Sequence, residues 1–164
     1  MIKPQIEYIN NKILLELTKT VEMFGLTSTE SRLFAYLYLA EHPMTLDEMA
    51  EALGKSKTSM STSIRSLADQ NLVTRVWKKG VRKSLYRAQT QLFKSLMISH
   101  LNKWIDDANQ QKQSFEELEK LLKEIANEHN EKHLSEIKRM QEHVQYLIHF
   151  HQEIENIFSK IKQD

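Results

Sequence analysis

The sequence predicts a mainly α chain, in which a cluster of short helices and a two-stranded hairpin is flanked by one N-terminal and two long C-terminal helices. Three observations carry this prediction. Only three glycines and two prolines punctuate the 164 residues, too few turns for a sheet-rich fold. Apolar residues recur at three- and four-residue spacing over most of the chain, the period of a helix with one buried face. The stretch that breaks this period, residues 72–88, alternates β-branched and aromatic residues around Gly80, as strands do.

Each element has its own signal. Over residues 3–24, Ile6, Ile9, Ile13, Leu14, Leu17, Val21 and Phe24 form a helical stripe that ends at Gly25. In "TSTESRLFAYLYLAEH", Thr27 is an N-cap with Glu30 three residues on, a capping box, and Pro43 stops the helix. "TLDEMAEALG" repeats the device with Thr45 and Glu48, sets Leu46, Met49 and Leu53 on one face, and closes at Gly54. A further helix starts near Ser56, so two short helices meet at a glycine-containing turn, a helix-turn-helix. "LVTRVWK" (72–78) and "KSLYRA" (83–88) then read as strands joined by "KGVR", a β-hairpin. Helix-turn-helix followed by a basic hairpin describes a winged helix.

Residues 89 onward contain no glycine or proline. Phe93, Leu96, Met97, Leu101, Trp104, Ile105 and Ala108 make one stripe, continued by Phe115, Leu118, Leu122 and Ile125. Apolar residues vanish at 126–133, which predicts a kink or short loop. The last helix places Ile137, Val144, His151 and Phe158 at one seven-residue spacing and Met140, Leu147, Ile154 and Ile161 at another, an a/d heptad. Such a stripe requires a second helix. A second copy of the chain supplies one most simply, giving a homodimer; an intramolecular hairpin between the two long helices is the alternative. The expected organisation is an N-terminal dimerisation helix (1–24), a winged helix-turn-helix (25–88) and a helical dimerisation region (89–164).

Composition excludes several classes. Charged residues are 27% and hydrophobic residues 40% of the chain, and there is no cysteine. There is therefore no disulfide framework and no thiol nucleophile. The longest apolar run, Leu33–Ala40, is far too short to cross a bilayer, and "MIKPQIEYIN" lacks the layout of a signal peptide, so a cytoplasmic location is expected. No glycine-rich phosphate loop or serine elbow occurs, and the many serines lie on a helix without an adjacent base. The chain does not read as an enzyme, and no cofactor is expected.

Charge and hydroxyls point elsewhere. Residues 55–87 hold nine Lys or Arg against Asp69 alone, net +8, so with the whole chain at +1 the remainder carries −7. A basic block in an otherwise acidic chain suggests a polyanion partner. Seven hydroxyl side chains crowd the eleven residues from Ser56 to Ser66, although Ser and Thr are mediocre helix formers. On a helix, Met60, Ile64 and Leu67 would face the core, leaving Lys57, Thr58, Ser61, Thr62 and Arg65 opposite. Small hydroxyls allow close approach and both donate and accept hydrogen bonds, which suits the mixed edge pattern of a DNA major groove. The helix N-terminus, with Ser56 and Ser59, favours a phosphate. Lys78, Lys79, Arg82 and Lys83 are expected around the hairpin tip, facing phosphates or a minor groove. In a dimer, two such units predict a pseudo-palindromic double-stranded operator with half-sites about one turn apart.

At these residues the sequence becomes familiar. "SKTSMSTSIRSL" and "VWKKGVRKSLY", within Met44–Tyr86, closely resemble the repressors of choline uptake and glycine-betaine synthesis genes, a branch of the MarR-like winged-helix regulators. The resemblance covers about residues 13–125. Ser31-Arg32 stands where that branch carries Gly-Arg, and Ser84 stands where an acidic residue is usual. The resemblance implies a homodimeric repressor whose grip on DNA responds to a quaternary ammonium effector such as choline. Such a cation cannot donate a hydrogen bond and is held against aromatic faces. Trp77, Tyr86, Phe93 and Trp104 are the candidates, because the second strand leads directly into the helix carrying the last two.

Two alternatives come from other classes. His129 and His133, at i and i+4 beside Glu128, Glu131 and Glu136, have a spacing that can bind zinc, as in a metal-responsive regulator. Alternatively, the acidic heptad helices bind another helical protein, as in an adaptor, and the basic block is incidental. Salt-sensitive, sequence-selective DNA binding separates the regulator from the adaptor.

Overall fold

A computed structural model describes residues 1–128 and 131–163. In chain order, its elements are α1 (Ile2–Glu22), α2 (Ser28–Ala40), β1 (Met44–Thr45), α3 (Leu46–Leu53), α4 (Lys57–Asp69), β2 (Val73–Val76), β3 (Leu85–Ala88), α5 (Leu92–Asn127), a 3₁₀ turn (Glu131–His133) and α6 (Leu134–Gln163). The chain divides into two compact units, Met1–His100 and Leu101–Asp164.

In the first unit the sequence signals become geometry. Thr27 Oγ1 accepts from the Glu30 N–H at 3.2 Å, and the Glu30 carboxylate accepts from the Thr27 N–H at 3.4 Å. Thr45 and Glu48 repeat the same reciprocal pair at the start of α3, satisfying N–H groups that a first turn leaves without helical partners. α2 ends at Ala40, with Glu41 left-handed, so the helix stops before the expected breaker, Pro43. Gly54 caps α3 at φ +63, a conformation L side chains resist, and the chain then turns into α4.

These helices close over one core. Phe34, Leu33, Met49, Met60, Leu67 and Leu72 are fully buried within it, joined by Val21 from α1 and Leu96 from α5. Ser31 Oγ is buried in the same region without a hydrogen-bond partner among the described residues. Burial of this kind contributes about 1.5–3 kcal/mol for each large side chain and fixes how α3 and α4 present their outer faces.

The hairpin carries a third strand. β2 and β3 pair antiparallel with Val73 opposite Ala88, and β1 pairs with the far edge of β3, setting Met44 opposite Tyr86 and Thr45 opposite Leu85. The sheet order is β1-β3-β2. Two strands are the sequence expectation; β1 escapes it because two residues are too few to show alternation. The connection is also longer than the expected turn, since residues 77–84 all lie outside the strands.

The second unit is an antiparallel helical hairpin. Trp104 packs on Phe158 with ring centroids 5.1 Å apart, and Phe115 packs on His151 at 5.5 Å. Between these layers the Lys112 ammonium donates to Glu155 at 2.6 Å and to Gln152 at 2.9 Å. His151 and Phe158 thus turn toward α5 of the same chain, Ile137 and Val144 on the same stripe are buried, and the intramolecular alternative meets part of the heptad stripe's need for a neighbour. Of the break expected at 126–133, the described residues show the end of α5 at Asn127 and the 3₁₀ turn, while residues 129 and 130 lie outside the described residues. Among the described residues no helix is long and apolar enough to cross a membrane.

The first helix leaves an apolar seam open. Ile2, Ile6, Ile9 and Ile13, spaced four, three and four residues apart, are all exposed, while Thr18 and Val21 near its other end are buried.

Candidate nucleic-acid interface

α4 is two-faced, as its sequence demands. Met60, Ser63, Ile64 and Leu67 are buried. Lys57, Thr58, Thr62 and Arg65 are exposed, and Ser59 and Ser61 are half-buried beside them. The hydroxyls are partly committed locally. Ser56 is the N-cap, its Oγ accepting from the Ser59 N–H at 3.1 Å, and it keeps its own proton to donate. Thr62 Oγ1 donates to the Thr58 carbonyl at 3.1 Å, leaving its lone pairs free to accept. The exposed face therefore offers donors, acceptors and two cations within one short helix, on a backbone that small side chains leave accessible. Its first-turn N–H groups add a weak positive end.

The sheet brings a second set of cations alongside. Lys78, Lys79 and Arg82 are exposed on the 77–84 connection, and no ion pair among the described residues engages them. Lys83 differs. Sequence reasoning sets it at the hairpin tip with the other three, whereas its ammonium lies 2.6 Å from Asp47 Oδ2 at the base of α3. The register explains the difference. With Thr45 opposite Leu85 in an antiparallel pair, the first turn of α3, which carries Asp47, starts beside the residues that lead into β3, Lys83 among them. The other oxygen of the same carboxylate lies 3.3 Å from the Lys57 ammonium at the start of α4.

Asp47 therefore joins three elements through one exposed side chain. Its carboxyl is held below the ordinary carboxylate range, first by the hydrogen bond from Lys83 and then by that from Lys57. Lys83 is raised above the ordinary lysine value by the hydrogen bond and charge of Asp47. Both shifts favour the paired, folded form. The Asp47 contribution is complete above the ordinary Asp value and is lost as pH falls through its lowered one. The Lys83 contribution is complete below the ordinary Lys value and is lost as pH rises through its raised one, so the pair stands across neutrality. Sequence reasoning does not single out Asp47, because only tertiary contacts bring it to the lysines, the pairing of β1 with β3 for Lys83 and the meeting of α3 with α4 for Lys57.

The four aromatics named for an effector are placed as follows. Trp77 is 82% exposed and Phe93 76% exposed. Tyr86 is half-buried on β3 against the core of the first unit. Trp104 lies in the second unit against Phe158. Of the proposed metal pair, His129 lies outside the described residues, and His133 Nδ1 lies 3.5 Å from Glu136. Among the described residues no three His, Cys, Asp or Glu side chains gather as a metal site would need.

Known proteins resemble this chain in sequence. The model of the MarR family matches residues 24–78, which contain α2 to α4 and β2. The chain is 30% identical over 120 residues to the HTH-type transcriptional repressor OpcR of Bacillus subtilis, an alignment covering 73% of this chain and 65% of that protein. It is 30% identical over 123 residues to the putative HTH-type transcriptional regulator YvaV of the same organism, covering 75% of this chain and 70% of YvaV. It is 33% identical over 99 residues to the HTH-type transcriptional repressor GbsR of that organism, covering 60% of this chain and 54% of GbsR. The chain thus spans less than two thirds of the lengths of OpcR and GbsR.

Proposed function

Because the chain belongs to the MarR family of winged-helix transcriptional regulators, we propose that it is a homodimeric repressor that binds double-stranded DNA through α4 and the 77–84 wing. One observation carries the proposal. α4 buries Met60, Ile64 and Leu67 and turns Lys57, Thr58, Ser61, Thr62 and Arg65 outward. This face is too polar for another protein core and too small-chained to be only a solvated surface. In the proposed complex these side chains read base edges in the major groove, while Ser56, Ser59 and the α4 N-terminus meet the flanking phosphate. Lys78, Lys79 and Arg82 reach phosphates or the adjacent minor groove, and Lys83 joins them at the wing base.

The homodimer rests on the isoleucine seam of α1, a stripe at coiled-coil spacing that stays exposed among the described residues. Two copies bring two α4 helices to one pseudo-palindromic site with half-sites about one turn apart.

The regulated genes are proposed to be those of osmoprotectant uptake or synthesis, and the effector a quaternary ammonium compound such as choline. Support comes from the resemblance of "SKTSMSTSIRSL" and "VWKKGVRKSLY" to that branch of the family and from alignment with the repressors OpcR and GbsR. Within the first unit, Trp77 and Phe93 hold their rings in solvent, free to close on a cation, and Tyr86 completes the proposed set there. An effector acts only through unequal affinity for dimers that fit DNA and dimers that do not. The spacing of the two α4 helices is the proposed variable.

The test is an anisotropy titration with a duplex from upstream of the chain's own gene beside a scrambled duplex, each with and without millimolar choline. Selective binding weakened by choline is expected. Selective binding indifferent to choline removes the effector and keeps the regulator. Equal, weak binding to both duplexes removes the operator reading and favours the adaptor.

A further inference from the structure

We infer that Asp47 is an internal surrogate for DNA phosphate, which occupies two of the cations of the binding face in the free protein and thereby restrains binding to non-operator DNA. The inference rests on the proposed DNA-binding role of α4 and the wing. Its geometry is independent of any ligand. One carboxylate divides its oxygens between two elements, with Oδ1 at 3.3 Å from Lys57 and Oδ2 at 2.6 Å from Lys83. The antiparallel pairing of β1 with β3, Thr45 opposite Leu85, brings the first turn of α3 beside the residues just before β3, and the capping box at Thr45 and Glu48 fixes the turn of α3 that carries Asp47.

All three side chains are well exposed. Ion pairs in that setting add little to stability and are weakened by salt, so the effect of this one falls mainly on what the lysines can bind. A phosphate reaching Lys57 or Lys83 must compete with a carboxylate already in place. It also approaches a fixed negative charge on the same face. The three groups together present a net charge of one where the two lysines alone would present two.

A correct operator adds base-edge contacts to Thr58, Ser61, Thr62 and Arg65 and so binds despite this competition. A non-operator duplex offers only phosphates, and the same competition leaves it weakly held. Asp47 thus lowers both affinities by a similar factor and keeps non-operator binding weak.

The variant that tests this is D47N, which keeps shape and removes charge. D47S serves as a second variant, each shown folded by circular dichroism and a thermal melt. Affinity for the upstream and scrambled duplexes is measured by anisotropy from 50 to 200 mM salt. Removing the charge should steepen the log–log salt dependence by about 0.9, the contribution of one further neutralised phosphate. The ratio of variant to native affinity for the scrambled duplex should then shrink by about 3.5-fold over that fourfold rise in salt. Affinity for the scrambled and upstream duplexes should both rise, by a similar factor. In a Lys57→Ala/Lys83→Ala background, the same Asp47 change should have a much smaller effect.

An unmoved slope in a folded variant overturns the inference. So does weaker binding of both duplexes, which would make Asp47 an aligner of the wing. In both cases the native protein still binds DNA in a salt-sensitive way. Native binding that ignores salt overturns the DNA-binding proposal itself, and this inference with it.

Discussion

Replacing Ile6, Ile9 and Ile13 together by serine should convert the proposed dimer to monomer without unfolding it. The three side chains are 52%, 53% and 46% exposed, so about half of each remains for a partner to cover. Full burial of an isoleucine contributes about 1.5–3 kcal/mol, and the uncovered half therefore about 1 kcal/mol. Three residues on each of two copies give about 6 kcal/mol, or about four decades in the dissociation constant. Serine and isoleucine have similar helix propensities, and none of the three is buried in the core, so α1 should remain helical. Sedimentation velocity over a wide concentration range reads the dissociation constant, and circular dichroism checks the helix content. A triple variant that stays dimeric at the native threshold, or a native chain that is monomeric at tens of micromolar, would refute the seam.

Three further outcomes are expected. Ser31→Ala should stabilise the first unit by about 1 kcal/mol, because it removes a buried hydroxyl that has no partner among the described residues; a lower melting temperature would contradict this. Lys112→Met should destabilise by about 3 kcal/mol, because Glu155, 14% exposed, would lose the ammonium now 2.6 Å away. Changing Glu155→Leu as well should recover most of that loss in a denaturant titration. The Asp47 carboxyl should titrate below the ordinary Asp range by carbon-detected NMR, and Lys83→Ala should move it back upward, since Lys83 is the larger cause of its depression.

Local chemistry made much of this fold legible in advance. The capping boxes at Thr27 and Thr45 need only residues three apart, and both form as read. The buried face of α4 follows from the spacing of Met60, Ile64 and Leu67, and all three are buried. Tertiary pairing was not legible. Two residues at 44–45 show no strand periodicity, so neither the third strand nor the meeting of Asp47 with Lys83 could be anticipated. Heptad spacing in α6 showed that a helix must lie against it but not which one. The aromatic stripe of α5 likewise marked a helix without showing that Phe93 would lie in solvent. What sequence resolves here is the type of each element and the polarity of its faces; which faces meet depends on contacts between distant residues.

The central claim is that the outer face of α4 lies against DNA, once in each of two copies. The chain has no cysteine, so Lys55→Cys provides a unique thiol beside the α4 N-terminus for a tethered iron chelate that cuts nearby strands. On the upstream duplex, cleavage should fall in two short patches about one helical turn apart. Cleavage spread evenly along the duplex, or none under conditions where the conjugate is bound, would contradict the account.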